Sequence, residues 1–99
     1  MARIYISGPI TGNEDYQTRF AQVEAKLKVE GHEVINPAAL DTCLPFLGYE
    51  EFMRLDFCLL DMCNVIYMLK GWKKSPGANR EYGYALGKGY IIWEEELDE

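Results

Sequence analysis

Asn64-Val-Ile-Tyr-Met-Leu69 is a nearly continuous apolar run. Strands covered on one face alternate apolar and polar residues; strands covered on both faces do not. Residues 64–69 therefore predict a strand inside a parallel sheet. Upstream, Tyr49 to Met62 places Phe52, Leu55, Leu59 and Leu60 at helical spacing. Downstream, Lys70 to Gly77 reads as a loop, Ala78 to Lys88 as a helix and Tyr90 to Trp93 as a last strand. Towards the N-terminus, Arg3-Ile-Tyr-Ile-Ser7 alternates and breaks at Gly8-Pro9. From about Asn13 to Glu30, Phe20, Val23 and Leu27 recur at helical spacing, and Gly31 is a helix stop. Glu33 to Asn36 is a short β-branched segment that Pro37 ends, and Ala38 to Gly48 is a loop with room for helical turns.

The resulting order, β-α-β-α-β-α-β, has no linker or repeat. Strands and helices that alternate at this spacing predict a parallel sheet with helices on both faces. The expected architecture is a three-layer α/β fold, flavodoxin- or Rossmann-like, with four strands in the order 2-1-3-4. One domain spans residues 1–99. Such a sheet has a switch point between strands 1 and 3, where their C-terminal ends open into a cleft. The loops at that cleft are residues 7–12 and 70–77, which carry the glycines and hydroxyls.

The chain has 99 residues, 48% of them apolar, and a net charge of −6. That charge argues against a nucleic-acid backbone or an anionic membrane as partner. It leaves a single small anion open, because local backbone dipoles outweigh net charge at short range. A core this small favours self-association as a homodimer or larger oligomer. No apolar run approaches a membrane span, and Met-Ala-Arg-Ile-Tyr-Ile-Ser turns polar too soon for a secretion signal. The cytoplasm is the expected compartment. Cys43, Cys58 and Cys63 form no CxxC and read as three reduced thiols, two of them on one helix. His32 follows Gly31 at a strand start and reads as a surface residue. No metal or cofactor is expected.

Ser75-Pro-Gly-Ala-Asn-Arg-Glu81 joins the apolar strand's exit loop to the next helix. It offers a hydroxyl, a glycine and then a carboxylate one turn into the helix. Backbone N–H groups at a helix start favour an anion. A carboxylate beside such a ligand can act as nucleophile or base, although Glu81 is equally a favourable acid near a helix start. Ser7-Gly-Pro-Ile-Thr-Gly12 reads either as a phosphate or ribose cradle or as an ordinary βα turn. It is neither GxGxxG nor a P-loop. Asp56 and Asp61 sit five apart in an apolar helix, where aspartate is disfavoured. One can face solvent; one aimed into an apolar cleft would hold its proton. Trp72 can stack on a base, cap a hydrophobic edge or join an interface.

Taken together these residues resemble the nucleoside 2-deoxyribosyltransferase superfamily. Ile4-Tyr-Ile-Ser-Gly-Pro9 is similar to that family's first strand and glycine turn. Leu55-Asp56 before the strand Val65–Leu69 is similar to its helix aspartate. Ser75-x-Gly77-x-x-x-Glu81-x-Gly83-x-Ala85 is similar to its nucleophile motif. Gly71 to Ala78 also resembles the Gly-Trp-x-x-Ser-x-Gly-Ala core of a group of short members. The resemblance covers roughly residues 3 to 93. It implies cleavage of an N-glycosidic bond, with Glu81 attacking the anomeric carbon, Asp56 protonating the leaving base and Tyr5 orienting Glu81. It implies a substrate site formed by Ser7, Gly8, Pro9, Ile10, Gly12, Trp72, Ser75, Gly77 and Ala78. Related deoxynucleoside 5′-monophosphate N-glycosidases carry serine where this chain has Ser75, and nucleoside-specific members carry an acid. A nucleotide is therefore the expected small-molecule partner over a nucleoside. Thr11 stands where those hydrolases carry arginine, and Asn64 where relatives often carry aspartate.

Two other readings use the same residues. One is a nucleotide-binding or sensing module that needs the two loops but no nucleophile. The other is an interaction protein with Trp72, Tyr82 and Tyr84 at a dimer face.

Overall fold

The computed structural model describes residues 1–10 and 12–95. Thr11 and the acidic tail beyond Glu95 lie outside the described residues. Four strands, β1 (Arg3–Ser7), β2 (Glu33–Ile35), β3 (Val65–Met68) and β4 (Ile91–Glu94), alternate with three helices. These are α1 (Tyr16–Val29), α2 (Tyr49–Leu60) and α3 (Pro76–Lys88). The sheet is parallel throughout and ordered β2-β1-β3-β4. This is the α/β architecture that residues 64–69 predict.

Strand alternation assigns each side chain of β1 to a layer. Ile4 and Ile6 join Val65 and Tyr67 under α1, packed on Phe20, Val23 and Leu27. Tyr5 faces the opposite way with Ile66 and Met68, against Leu60 of α2 and Ala78 and Ala85 of α3. Helices thus cover both faces, one on the first and two on the second. Among the described residues no helix is long and apolar enough to cross a membrane.

Several element ends differ from the sequence reading. Residues 13–15 form a turn, so α1 starts at Tyr16. α3 starts at Pro76, because Ser75 Oγ accepts the Ala78 N–H and proline is well suited to a first helical position. α2 stops at Leu60, which leaves Cys63 on the turn into β3 rather than on the helix with Cys58. The loop after β2 contains one 3-10 turn, Pro37–Leu40, capped by Asn36. In α2 the buried residues are Met53 and Leu60, while Phe52, Leu55 and Leu59 are half-buried. His32 is half-buried: its Nδ1 accepts the Ala2 N–H, and its ring packs edge-on to Trp93.

Asn64 has a structural role at the foot of the sheet. Its side-chain carbonyl accepts the Arg3 N–H, its N–H donates to Arg3 O, and its own carbonyl accepts the Ile91 N–H. One residue thereby aligns the starts of β1, β3 and β4.

At the other end, Leu69 N–H donates to Ser7 O at 2.8 Å, which draws the exits of β1 and β3 together. The gap left is so narrow that a Cβ on Gly8 would lie 2.8 Å from Leu69 Cβ. Neither atom is the end of a flexible chain, so backbone must move. Gly8→Ala should lower stability by about 1–3 kcal/mol, the usual range for overpacking, as measured by urea unfolding.

Candidate active site

The two donors to Glu81 follow directly from the alternation of β1. Tyr5 and Ser7 are two apart, point to the same face and stand about one side-chain spacing apart along the strand. Tyr5 Oη donates to Glu81 Oε2 at 2.6 Å, and Ser7 Oγ donates to Oε1 at 2.6 Å. Each carboxylate oxygen thus receives one short hydrogen bond, of the charge-assisted kind. Glu81 is 6% exposed, and Tyr5 is fully buried.

Beside Glu81 opens a cavity of about 500 Å³. One face of α3 supplies Gly77, Ala78 and Glu81, at i, i+1 and i+4. One face of α2 supplies Tyr49, Phe52, Met53 and Asp56, at i, i+3, i+4 and i+7. Gly8 and Ile10 come from the β1 exit, and Pro37 and Asp41 from the segment after β2. Ser75 and Pro76 form the rim. Arg80 ties α3 to α2: its guanidinium bonds both oxygens of Glu50 at 2.9 and 3.1 Å and lies over the Tyr49 and Phe57 rings.

Asp56 and Glu81 interact across this cavity, and both carboxyls hold their protons above the ordinary carboxylate range. Burial is the main cause for each. For Glu81 the Ser7 and Tyr5 hydroxyls work in the opposite direction, while the charge of Asp56 adds to the rise. For Asp56 the charge of Asp41 raises it further, and hydrogen bonding with Glu81 and Tyr5 lowers it. Two neighbouring carboxyls of this kind titrate as a unit, and the pair retains a proton into the neutral range. Burial also pushes the Tyr5 hydroxyl upward, so it remains a donor. Asp41 itself accepts a hydrogen bond from Tyr16 Oη at 2.7 Å.

The structure brings together Glu81, Asp56, Tyr5, Gly8, Ile10, Ser75, Gly77 and Ala78. Other residues expected at the ligand are placed differently. Ser7 lies behind Glu81 as a donor to it rather than on the cavity wall. Pro9 lines a neighbouring notch, and Gly12 is an exposed turn glycine at φ 81°. Trp72 does not line the cavity. It is 8% exposed, stacks on Tyr82 with centroids 4.6 Å apart and donates its indole N–H to Glu94. Tyr84 stacks on Phe57 and donates to Asp61, so all three aromatics have partners within the chain. Pro37, Asp41, Tyr49, Phe52 and Met53 were not singled out for the site. The spacing 49-52-53-56 reaches Asp56 along one helical face and is a signal that finds three of them. Among the described residues no group of three His, Cys, Asp or Glu is placed to hold a metal.

Residues 2–93 match the family described as Domain of unknown function (DUF4406). The chain belongs to that family. No curated protein and no solved structure matches it. The matched span covers both donors on β1, Asp56 and Glu81, and ends within β4.

Glu81 carries a stability cost that depends on pH. Its folded pKa is raised above its ordinary value of 4.5. Its contribution to stability is thus fully present below that value and is lost as pH rises through the folded value. Gln removes the titration and keeps the shape. Glu81→Gln should therefore raise Tm at pH 8 by about 4 °C or more, with the gain shrinking towards pH 4.5, in paired thermal melts.

Proposed function

We propose that this protein cleaves the N-glycosidic bond of a nucleoside 5′-monophosphate, releasing the base. The observation that carries the reading is the buried Glu81 carboxylate, held by two hydroxyls and paired with Asp56 across a cavity. One proton shared by two carboxyls supplies what displacement at an anomeric carbon needs: a negative nucleophile and an acid.

In the forward step a Glu81 oxygen forms a bond to C1′ of the sugar. The C1′–N bond breaks, its electron pair leaves with the base nitrogen, and Asp56 delivers the proton. The glycosyl ester on Glu81 is then attacked at C1′ by water, whose proton goes to the Asp56 carboxylate. This restores both groups and retains configuration. A second base in place of water gives transfer instead. Tyr5 and Ser7 fix the direction of the Glu81 carboxylate and stabilise it as it departs from C1′.

The cavity suits the rest of a nucleotide. Its volume of about 500 Å³ lies within the range for small-molecule sites. Phe52, Met53, Tyr49 and Pro37 offer flat and apolar walls to a base, and Asp41 an acceptor. At the rim, Ser75 Oγ accepts the Ala78 N–H and keeps its own proton for a phosphate oxygen. Pro76 has no N–H, so Gly77 presents the first free N–H of α3.

Purified protein incubated with deoxynucleoside and ribonucleoside 5′-monophosphates should release free base, followed by chromatography. Release should vanish in Glu81→Ala. It should fall about 10²- to 10⁴-fold in Asp56→Asn, the usual worth of a positioned acid. The rate should trace a bell against pH, rising as the pair loses its first proton and falling as it loses its second. Tight binding without release from any substrate would instead identify a nucleotide-binding module.

A further inference from the structure

The order of the sheet sorts the walls of the main cavity. β2 and β3 flank β1 on opposite sides, and the strands run parallel, so their exits lie at one end. Gly8 and Ile10 leave β1 in the middle. Ser75, Pro76 and Gly77 follow β3 on one side, and Pro37 and Asp41 follow β2 on the other. Glu81 stands over β1, bonded to Tyr5 and Ser7. Among the described residues of the lining, the polar side chains are Asp41, Tyr49, Asp56, Ser75 and Glu81. Asp56 and Glu81 are the reacting pair, and Ser75 is at the rim. Tyr49 Oη lies 3.5 Å from where a Cβ on Gly77 would stand, so it too is beside the rim. Asp41 is left, on the β2 side. Its carboxylate is held from α1: Oδ2 accepts from Tyr16 Oη at 2.7 Å. Gln17 Nε2 in turn donates to Tyr16 Oη at 3.2 Å and to Ala38 O at 2.8 Å, in the turn that leads to Asp41. Among the described residues nothing donates to Asp41 Oδ1.

We infer that Asp41 reads the base, and that the nucleotide taken by the main cavity carries guanine. The inference rests on the nucleotide reading of that cavity. With the phosphate on the β3 side and C1′ at Glu81, the base extends towards the β2 side, among Phe52, Met53 and Pro37. Its far edge then faces Asp41. The charge of Asp41 bears on Asp56, so the two carboxyls border the same space. An ionised carboxylate only accepts hydrogen bonds, and its two oxygens together have room for several. Among the common bases, guanine alone sets two N–H donors side by side on the edge away from the sugar, at N1 and N2. Adenine and cytosine put an acceptor nitrogen beside their amino group, and thymine sets its N–H between two carbonyls. Each of those acceptors would meet a carboxylate oxygen and be repelled. Guanine meets it with a pair of charge-assisted bonds, which are stronger than neutral ones.

Calorimetric titration of Glu81→Gln, the background that prevents turnover, would compare the 5′-monophosphates of deoxyguanosine, deoxyinosine and deoxyadenosine. Hypoxanthine is guanine without the 2-amino group, so the deoxyinosine nucleotide removes one donor and leaves the protein untouched. The guanine nucleotide should bind about tenfold or more tightly than either of the others, the usual worth of a two-point contact to a base. Asp41→Asn in the same background keeps the side chain's shape and an oxygen for Tyr16, and replaces the free acceptor by a donor. The guanine preference should then vanish. The adenine nucleotide should bind at least as well as the guanine one, because an amide matches the donor and acceptor of adenine. Equal affinity for the guanine and hypoxanthine nucleotides, or a guanine preference that survives Asp41→Asn, overturns the inference. An equal loss for every nucleotide in Asp41→Asn also overturns it and assigns Asp41 to the sugar or the wall. Should Asp41→Asn fail to fold, the deoxyinosine comparison decides by itself. Guanine preference lost in Asp41→Asn, with no base release from any wild-type incubation, overturns the glycosidic reading and leaves the assignment of Asp41 standing. Absence of binding by all three nucleotides overturns both.

Discussion

A carboxylate buried among apolar residues is expensive unless its charge is compensated. Glu81 is compensated by two hydroxyls from one strand, and the fold is arranged so that this is possible. β1 must lie in the sheet interior for Tyr5 and Ser7 to be buried. α3 must cross that strand with Glu81 inward, and its start must be fixed for Glu81 to reach the right height. Ser75 fixes the start by capping, and Pro76 by its restricted backbone. Gly8 then permits the β1 exit to pass Leu69 closely enough to keep the strand in register. Each of these devices is local, and each is spent on the position of one side chain.

The fold was legible because its signals are local and periodic. Residues 64–69 carry an unbroken apolar run, and such a run has few homes other than the middle of a parallel sheet. Gly31 and Pro37 mark segment ends by their backbone preferences, with Gly31 at positive φ. Element ends were less legible. The start of α3 depended on whether Ser75 would cap, and that choice is settled by a hydrogen bond rather than by composition. Of the residues at helical spacing in α2, Leu60 is buried with Met53, while Phe52, Leu55 and Leu59 are half-buried. Phe52 instead faces the cavity, whose apolar wall has the same chemistry as a core.

The site was legible where residue type conflicts with environment. Aspartate within an apolar helix and glutamate in a glycine-rich helix start both stand out, and both reach the cavity. Trp72 gave the opposite lesson. A tryptophan beside a ligand loop fits a base-stacking role, but its indole N–H needs a partner when buried, and Glu94 on β4 supplies it. That partner is 22 residues away, so no local pattern could disclose it. Ser7 is expected at the ligand, and its hydroxyl bonds Glu81. Its spacing from Tyr5 puts two donors on one face, a relation that acquires meaning only once a carboxylate is known to lie opposite.

The distribution of charge completes the argument. A chain with net charge −6 can take an anionic ligand only if its own carboxylates are neutralised or screened where the ligand lies. Asp56 and Glu81 together hold a proton into the neutral range, which lowers the negative charge facing the cavity. Asp41 is tied by Tyr16 at the far wall, and Glu95 by Arg19 and the Lys70 N–H behind the notch. Arg19, Lys70 and Lys74 line the notch on the other side of Ser75 and Pro76. Ser75 and Pro76 thus stand between the carboxyl pair of the cavity and the basic side chains of the neighbouring notch.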